Sequence, residues 1–313
     1  MKPLTPQTLK GTWSTVLLPL DDRNEIIWEH IDEQLKIFAE AGVSGIYFNG
    51  TAGEFFSQNE DEFLRLAQTI ATFCESRSIP FQVGASHAHA SESLQRVERT
   101  RDLNPGAFQV ILPEWIPHTF EEIAAFLIRV AAVASPIPLV IYNPPNARKV
   151  LNPQEWKELI STVEGIIGIK VAGGDDEWHE AMRPVADRIS VFVAGVRLAT
   201  GIIHGCACGS YSNLACLSPL GAVRFEHLIK SAPDKALAQQ AHILEVFDKA
   251  IAPIRGRFSD SALDKTLATA GGWGPMTPHV RWPLSKVPNE EVERIAQIFH
   301  EELPFLFTKE ASE

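Results

Sequence analysis

Cysteine is scarce in this chain, four residues in 313, and the uneven placement of Cys74, Cys206, Cys208 and Cys216 excludes the disulfide framework that staples small secreted domains. Reduced thiols and a cytoplasmic location are the matching expectation. Long apolar runs are missing as well. No segment approaches the ~18 uninterrupted apolar residues of a membrane-spanning helix, and the opening MKPLTPQTLKGTW lacks the apolar stretch of a secretory leader. Basic residues are in the minority, 28 Lys and Arg against 39 Asp and Glu for a net charge of −11, and they are scattered rather than clustered. That balance argues against nucleic acid and anionic membrane surfaces and in favour of a small soluble partner. Nor does any G-x-G-x-x-G or Walker sequence open a helix after an early strand, which removes the phosphate fingerprint of a doubly wound nucleotide-binding sheet.

What remains is a chain that is 45% hydrophobic and 21% charged, enough to bury a large core. Short β-rich runs alternate with amphipathic segments of helical period, the runs ending roughly 25 to 40 residues apart as successive βα units would. Strands are expected at 12–19, 45–49, 81–84, 108–113, 139–142, 168–171, 190–194 and 209–212. Helices are expected at 28–41, 60–76, 91–103, 120–134, 153–163, 178–186 and 199–206. The α/β pattern therefore predicts a (β/α)8 TIM barrel over residues 1–223, with residues 224–313 as a C-terminal helical extension. Within that tail the Gly-, Pro- and Trp-rich stretch 258–288 reads as a long irregular connection.

In such a barrel the chemistry sits at the carboxyl ends of the strands. The sixth strand ends in Lys170, the one cation in the apolar, glycine-flanked run GIIGIKVAGGD. Desolvation penalises its ammonium form, so its pKa should fall and a neutral, nucleophilic amine should exist near pH 7. Strand two runs into NGTAGE, where Gly50 and Gly53 around Thr51 and Ala52 allow a tight turn whose N–H groups form a nest for a carboxylate. Strand five ends in Tyr142 of YNPP, strand seven in Gly195 and strand eight in Gly209-Ser210-Tyr211. Glu54 reads as structural rather than catalytic. His87 and His89 have zinc-like i, i+2 spacing but no convincing third and fourth ligands, so no metal is expected.

Taken together, NGTAGE, YNPP and GIKVAGGD resemble, in order and separation, the motifs of the pyruvate-dependent class I lyases that include dihydrodipicolinate synthase and N-acetylneuraminate lyase. The resemblance covers most of the chain. It implies Lys170 as Schiff-base nucleophile, Tyr142 as acid/base, Thr51 as a catalytic hydroxyl, and Gly50, Ala52 and Gly53 as the carboxylate cradle. It further implies a small-molecule 2-oxo acid substrate, no cofactor, and a homo-oligomer, dimer or tetramer.

Departures from the family pattern narrow the reading. Ala147 occupies the arginine position that follows Y-N-x-P in dihydrodipicolinate synthases, and Arg148 comes one residue later. Ala52 lacks the second hydroxyl of the usual pair, and Trp115 stands where a neighbouring subunit's tyrosine is expected, yet an indole cannot pass a proton as a phenol does. Tyr211 occupies a usual isoleucine position, narrowing the pocket or adding a hydroxyl. Val196 and Arg197 after Gly195 replace acidic sugar-binding residues; Arg197 either reaches a distal carboxylate or hydroxyl or is an ordinary surface charge. The expectation is thus an aldolase or dehydratase acting on a 2-oxo-3-deoxy sugar acid, or on pyruvate plus an aldehyde. Dihydrodipicolinate synthase-like condensation, a catalytically weak 2-oxo acid binding protein and a chelator-sensitive metal aldolase are the alternatives.

Overall fold

The computed structural model of the chain describes residues 1–113, 116–211 and 213–308. Local chemistry sets many helix starts. Asn59, Thr119 and Asn152 each accept a hydrogen bond from the backbone three residues on, where Glu62, Glu122 and Glu155 reach back, forming reciprocal capping boxes. They open α2 (Glu60–Arg77), α4 (Phe120–Ala134) and α5 (Pro153–Thr162). The other barrel helices are α1 (Trp28–Ala41), α3 (Ala90–Thr100), α6 (Asp176–Ala186) and α7 (Leu198–Ile203).

Eight strands alternate with these helices: β1 (Gly11–Thr15), β2 (Gly45–Phe48), β3 (Phe81–Gly84), β4 (Ala107–Ile111), β5 (Leu139–Tyr142), β6 (Ile166–Lys170), β7 (Ser190–Ala194) and β8 (Gly209–Tyr211). All neighbours pair in parallel and β8 closes onto β1, giving the expected eight-stranded barrel. Inward-facing Trp13, Tyr47, Val140, Phe192 and Tyr211 fill its interior, while outward-facing side chains such as Ile46, Val83, Ile141 and Ile169 join the core beneath the helices. Alternation along each strand produces this division.

Beyond β8 come α8 (Leu214–Leu217), α9 (Pro219–Ser231), α10 (Pro233–Ile251), α11 (Asp260–Gly271) and α12 (Asn289–Glu302). Two expectations change here. A division at residue 224 falls inside α9, which packs against α1 and β1 as the eighth barrel helix, so the barrel continues to Ser231. The stretch 258–288 is not a continuous irregular connection, because Ser259 caps α11 by accepting from the Ala262 N–H. Phe225, Ile243, Val246, Leu267, Ile295 and Phe299 of α9 to α12 share one core with Leu214 and Leu217. Burial of each large side chain stabilises by about 1.5–3 kcal/mol, which holds the extension against the barrel mouth. No helix among the described residues is long and apolar enough to cross a membrane.

Candidate active site

Lys170 ends β6 with 9% of its surface exposed, in a setting made mostly of aromatic rings. Its Nζ lies 4.0 Å from the centroid of the Tyr142 ring and 5.2 Å from that of Tyr47, and it donates to the Tyr47 hydroxyl at 3.4 Å. Register explains the convergence: Tyr142 on β5 is paired with Lys170 on β6. Burial lowers the lysine pKa to about 8, against the opposing pull of the Asp264 carboxylate. About a tenth of the amine is therefore neutral at pH 7, far more than at an ordinary lysine.

The NGTAGE turn lies directly above. Thr51 Oγ1 donates to the Tyr142 hydroxyl at 3.4 Å, and a side chain on Gly50 would place its Cβ 4.0 Å from the lysine Nζ. The Gly53 N–H closes the turn onto the Gly50 carbonyl at 3.1 Å, so it is not offered to a ligand. Its glycine character answers a close approach, since a Cβ there would sit 3.0 Å from the Asn49 nitrogen and the Val16 carbonyl oxygen. Among the described residues the N–H groups of Gly50, Thr51 and Ala52 donate to no protein acceptor, which leaves these three for a carboxylate.

Thr51, Ala52, Tyr142 and Lys170 line one cavity of ≈ 270 Å³. Its other walls come from Asn213 and the extension, with Phe247 and Ile251 of α10, Arg255, and Asp260, Leu263, Asp264 and Leu267 of α11. Asp264 is the member the sequence did not disclose. Burial raises its pKa to about 7 in spite of the Lys170 charge that favours the carboxylate. Two neighbouring groups poised near neutral pH are the pattern of a proton-transfer site.

Other expected site residues lie elsewhere. Tyr211 is fully buried in the barrel interior, exchanging hydrogen bonds with Gln82 at 2.7 and 3.0 Å, and packs edge-on to Tyr47; it forms a floor beneath the lysine rather than a pocket wall. Gly195 packs against Asn213 and Leu214, whose atoms leave no room for a Cβ. Arg197 is exposed and outside the cavity lining, whereas Arg255 is the arginine within it. Trp115 lies outside the described residues. Tyr47 was legible only as the inward position of β2, and Asp264 had no local signal.

Glu54 has the structural role expected of it, and its partners come from the extension. Fully buried and held at φ 51°, it forms an ion pair with the equally buried Lys265 of α11 and accepts from the Arg281 N–H at 2.9 Å. Ser261 of α11 donates to the Thr51 carbonyl at 2.7 Å. The cradle is thus pinned to the helix that carries Asp264. Glu54→Gln leaves the Lys265 charge buried without its counter-ion and is expected to lower stability by about 3 kcal/mol. Urea unfolding measures this; a loss below about 1 kcal/mol would mean the pin is dispensable.

Residues 8–302 match the Dihydrodipicolinate synthetase family. The chain is 25% identical over 316 residues to a probable 5-dehydro-4-deoxyglucarate dehydratase of Acidovorax ebreus (strain TPSY), covering 96% of this chain and 100% of that protein. A 4-hydroxy-tetrahydrodipicolinate synthase of Natronomonas pharaonis is 27% identical over 173 residues, 55% of this chain and 58% of that one. Among solved structures, a sialic acid aldolase of Ruminococcus gnavus with its catalytic lysine mutated superposes with a TM-score of 0.82 at 19% identity, covering 98% of this chain and 100% of that one. At that identity the likeness speaks for the fold.

Proposed function

The chain belongs to the dihydrodipicolinate synthetase family, and from that premise we propose that it is a class I lyase that forms a Schiff base between Lys170 and a 2-oxo acid, with a 2-oxo-3-deoxy sugar acid as the substrate class. The observation that carries this reading is the buried amine of Lys170, its pKa lowered to about 8 by desolvation, opening with Tyr142 and Thr51 into a single cavity.

In the proposed reaction the carboxylate of the substrate rests on the free N–H groups of Thr51 and Ala52, which directs C2 toward Nζ. The neutral amine adds to the C2 carbonyl, the oxygen takes a proton through the Tyr142 and Thr51 hydroxyls, and loss of water leaves an iminium ion. Its positive nitrogen then accepts the electron pair released at C3. If a base removes the C4 hydroxyl proton, the C3–C4 bond breaks and an aldehyde departs; if a base removes a C3 proton, the resulting enamine expels the C4 hydroxyl. The same intermediate, run in reverse, joins pyruvate to an aldehyde. Asp264 is the carboxylate placed to carry these protons, in the part that a hydroxyl at Ala52 would otherwise fill. Arg255 at the cavity wall is placed for a polar distal end of the substrate. Assembly as a dimer or tetramer belongs to the same reading, and the exposed ring of Trp282 (81%) is suited to burial between copies.

Borohydride reduction in the presence of pyruvate, and separately of several 2-oxo-3-deoxy sugar acids, tests the proposal. The expected product is a single covalent adduct located on Lys170 by peptide mass spectrometry. No adduct on that lysine with any of these acids would overturn it. An adduct without turnover would favour the second reading, a weakly catalytic 2-oxo acid binding protein, to which the missing hydroxyl at Ala52 lends support.

A further inference from the structure

On the outside of the barrel, two side chains of α6 and one from the residue after α7 converge between the segments that follow β6 and β7. Asp176 stands in the first turn of α6, His179 one turn further along, and His204 immediately after α7. Asp176 Oδ1 lies 3.8 Å from His179 Nδ1 and 3.8 Å from His204 Nε2, and all three potential ligand atoms fall within 4.8 Å of one another. The two imidazole centroids are 4.8 Å apart.

His179 supplies an independent sign that something is to be bound. It is 4% exposed, and its Nδ1, the atom turned toward Asp176, has no hydrogen-bond partner among the described residues. A buried imidazole nitrogen left unpartnered is destabilising, because its hydration is lost without replacement. Its ring is fixed by an edge-on contact with Trp178, so the nitrogen cannot turn readily to water.

We propose that Asp176, His179 and His204 form a binding site for a divalent transition-metal ion, with zinc as the best-matched ion. Two imidazoles and a carboxylate are donors that borderline ions such as zinc, cobalt and nickel accept and that calcium and magnesium do not favour. A tetrahedral ion with bonds of about 2.0–2.1 Å holds its ligand atoms about 3.3 Å apart. The two pairs that include Asp176 therefore need a closure of about half an ångström, and the two imidazole nitrogens, within 4.8 Å of each other, a closure of up to about 1.5 Å. Asp176, its side chain 88% exposed and free to rotate, supplies the first, and His204, 34% exposed, moves toward the buried His179 for the second and leaves the fourth position open to water. Asp175 adds negative charge nearby, and Arg183, whose Nε donates to the His204 carbonyl at 3.0 Å, is the cation that opposes it. A bound ion clamps α6 to the end of α7.

No sequence motif announces this site, because His204 joins the other two only through the packing of α6 and α7. The expectation of no metal rested on His87 and His89, and His87 Nδ1 is already occupied as acceptor for the His89 N–H at 3.0 Å.

The experiment uses the full chain, stripped with chelator and kept reduced, titrated with cobalt and with zinc. Expected are one ion per chain, a visible cobalt absorption of nitrogen and oxygen ligation, and a rise in Tm of about 2 °C or more with excess zinc. Asp176→Asn and His204→Ala, both at accessible positions, should leave the metal-free Tm within about 1 °C and abolish the spectrum and the shift. Absence of stoichiometric binding in the unsubstituted chain would overturn the site. So would a zinc shift that survives both substitutions, since the ion would then sit elsewhere, on His87 and His89 or on the thiols.

Discussion

Replacing Lys170 with alanine is expected to lower turnover of the true substrate by about 10⁴-fold or more, the scale seen when a covalent nucleophile is removed. Only the amine can form the iminium, and among the described residues no other lysine lines the cavity with Tyr142 and Thr51. The reduced adduct should disappear with it. Affinity for a simple 2-oxo acid should fall far less, because the Thr51 and Ala52 N–H groups remain. The fold should not suffer either. Desolvation disfavours the lysine ammonium, lowering its pKa to about 8, so its removal relieves rather than adds an electrostatic cost. Paired measurements of kcat, ligand affinity and Tm separate these effects. Residual turnover within tenfold of the unsubstituted enzyme would sink the nucleophile assignment.

Asp264→Asn carries the second large effect and a distinctive pH signature. Loss of a positioned acid/base is expected to lower kcat about 10²-fold. The sign of the pH shift follows from the charges. The Asp264 carboxylate favours the Lys170 ammonium and so raises the lysine pKa toward its value of about 8. Without that charge the lysine pKa falls further, neutral amine appears at lower pH, and the rising limb of the rate of adduct formation moves to lower pH. In the unsubstituted protein that limb should lie near pH 8, with Asp264, at about 7, titrating as part of the same pair. A variant that keeps both the rate and the position of the limb would make Asp264 a bystander.

Asp264 also marks the limit of what could be read before folding. β3, β5 and β7, and the helices α1 and α4, fall at their expected bounds, because side-chain alternation, helical period and capping residues act over a few neighbours. Lys170, Tyr142 and Thr51 were legible for a related reason: each closes or follows a strand, and a parallel barrel brings all such ends to one face. The misplaced residues share the opposite property. Gly53, Gly195 and Tyr211 were assigned by position in a motif or at a strand end, but direction decides whether such a residue meets ligand. Gly53 turns its N–H back onto Gly50, and Tyr211 points into the barrel toward Gln82.

The sequence by itself determined the closed α/β barrel, the lysine at the end of β6 and the turn that faces it, since these follow from local period and from strand order. Tertiary structure alone decided which distant groups share the lysine's environment. α11 arrives over the barrel mouth because its apolar face joins the core of α9, α10 and α12, and Glu54 fastens it there through Lys265. That docking delivers Asp264 to the amine. A burial-driven contact between remote segments leaves no periodic trace in either one, and the pKa values of Lys170 and Asp264 exist only once both have left water.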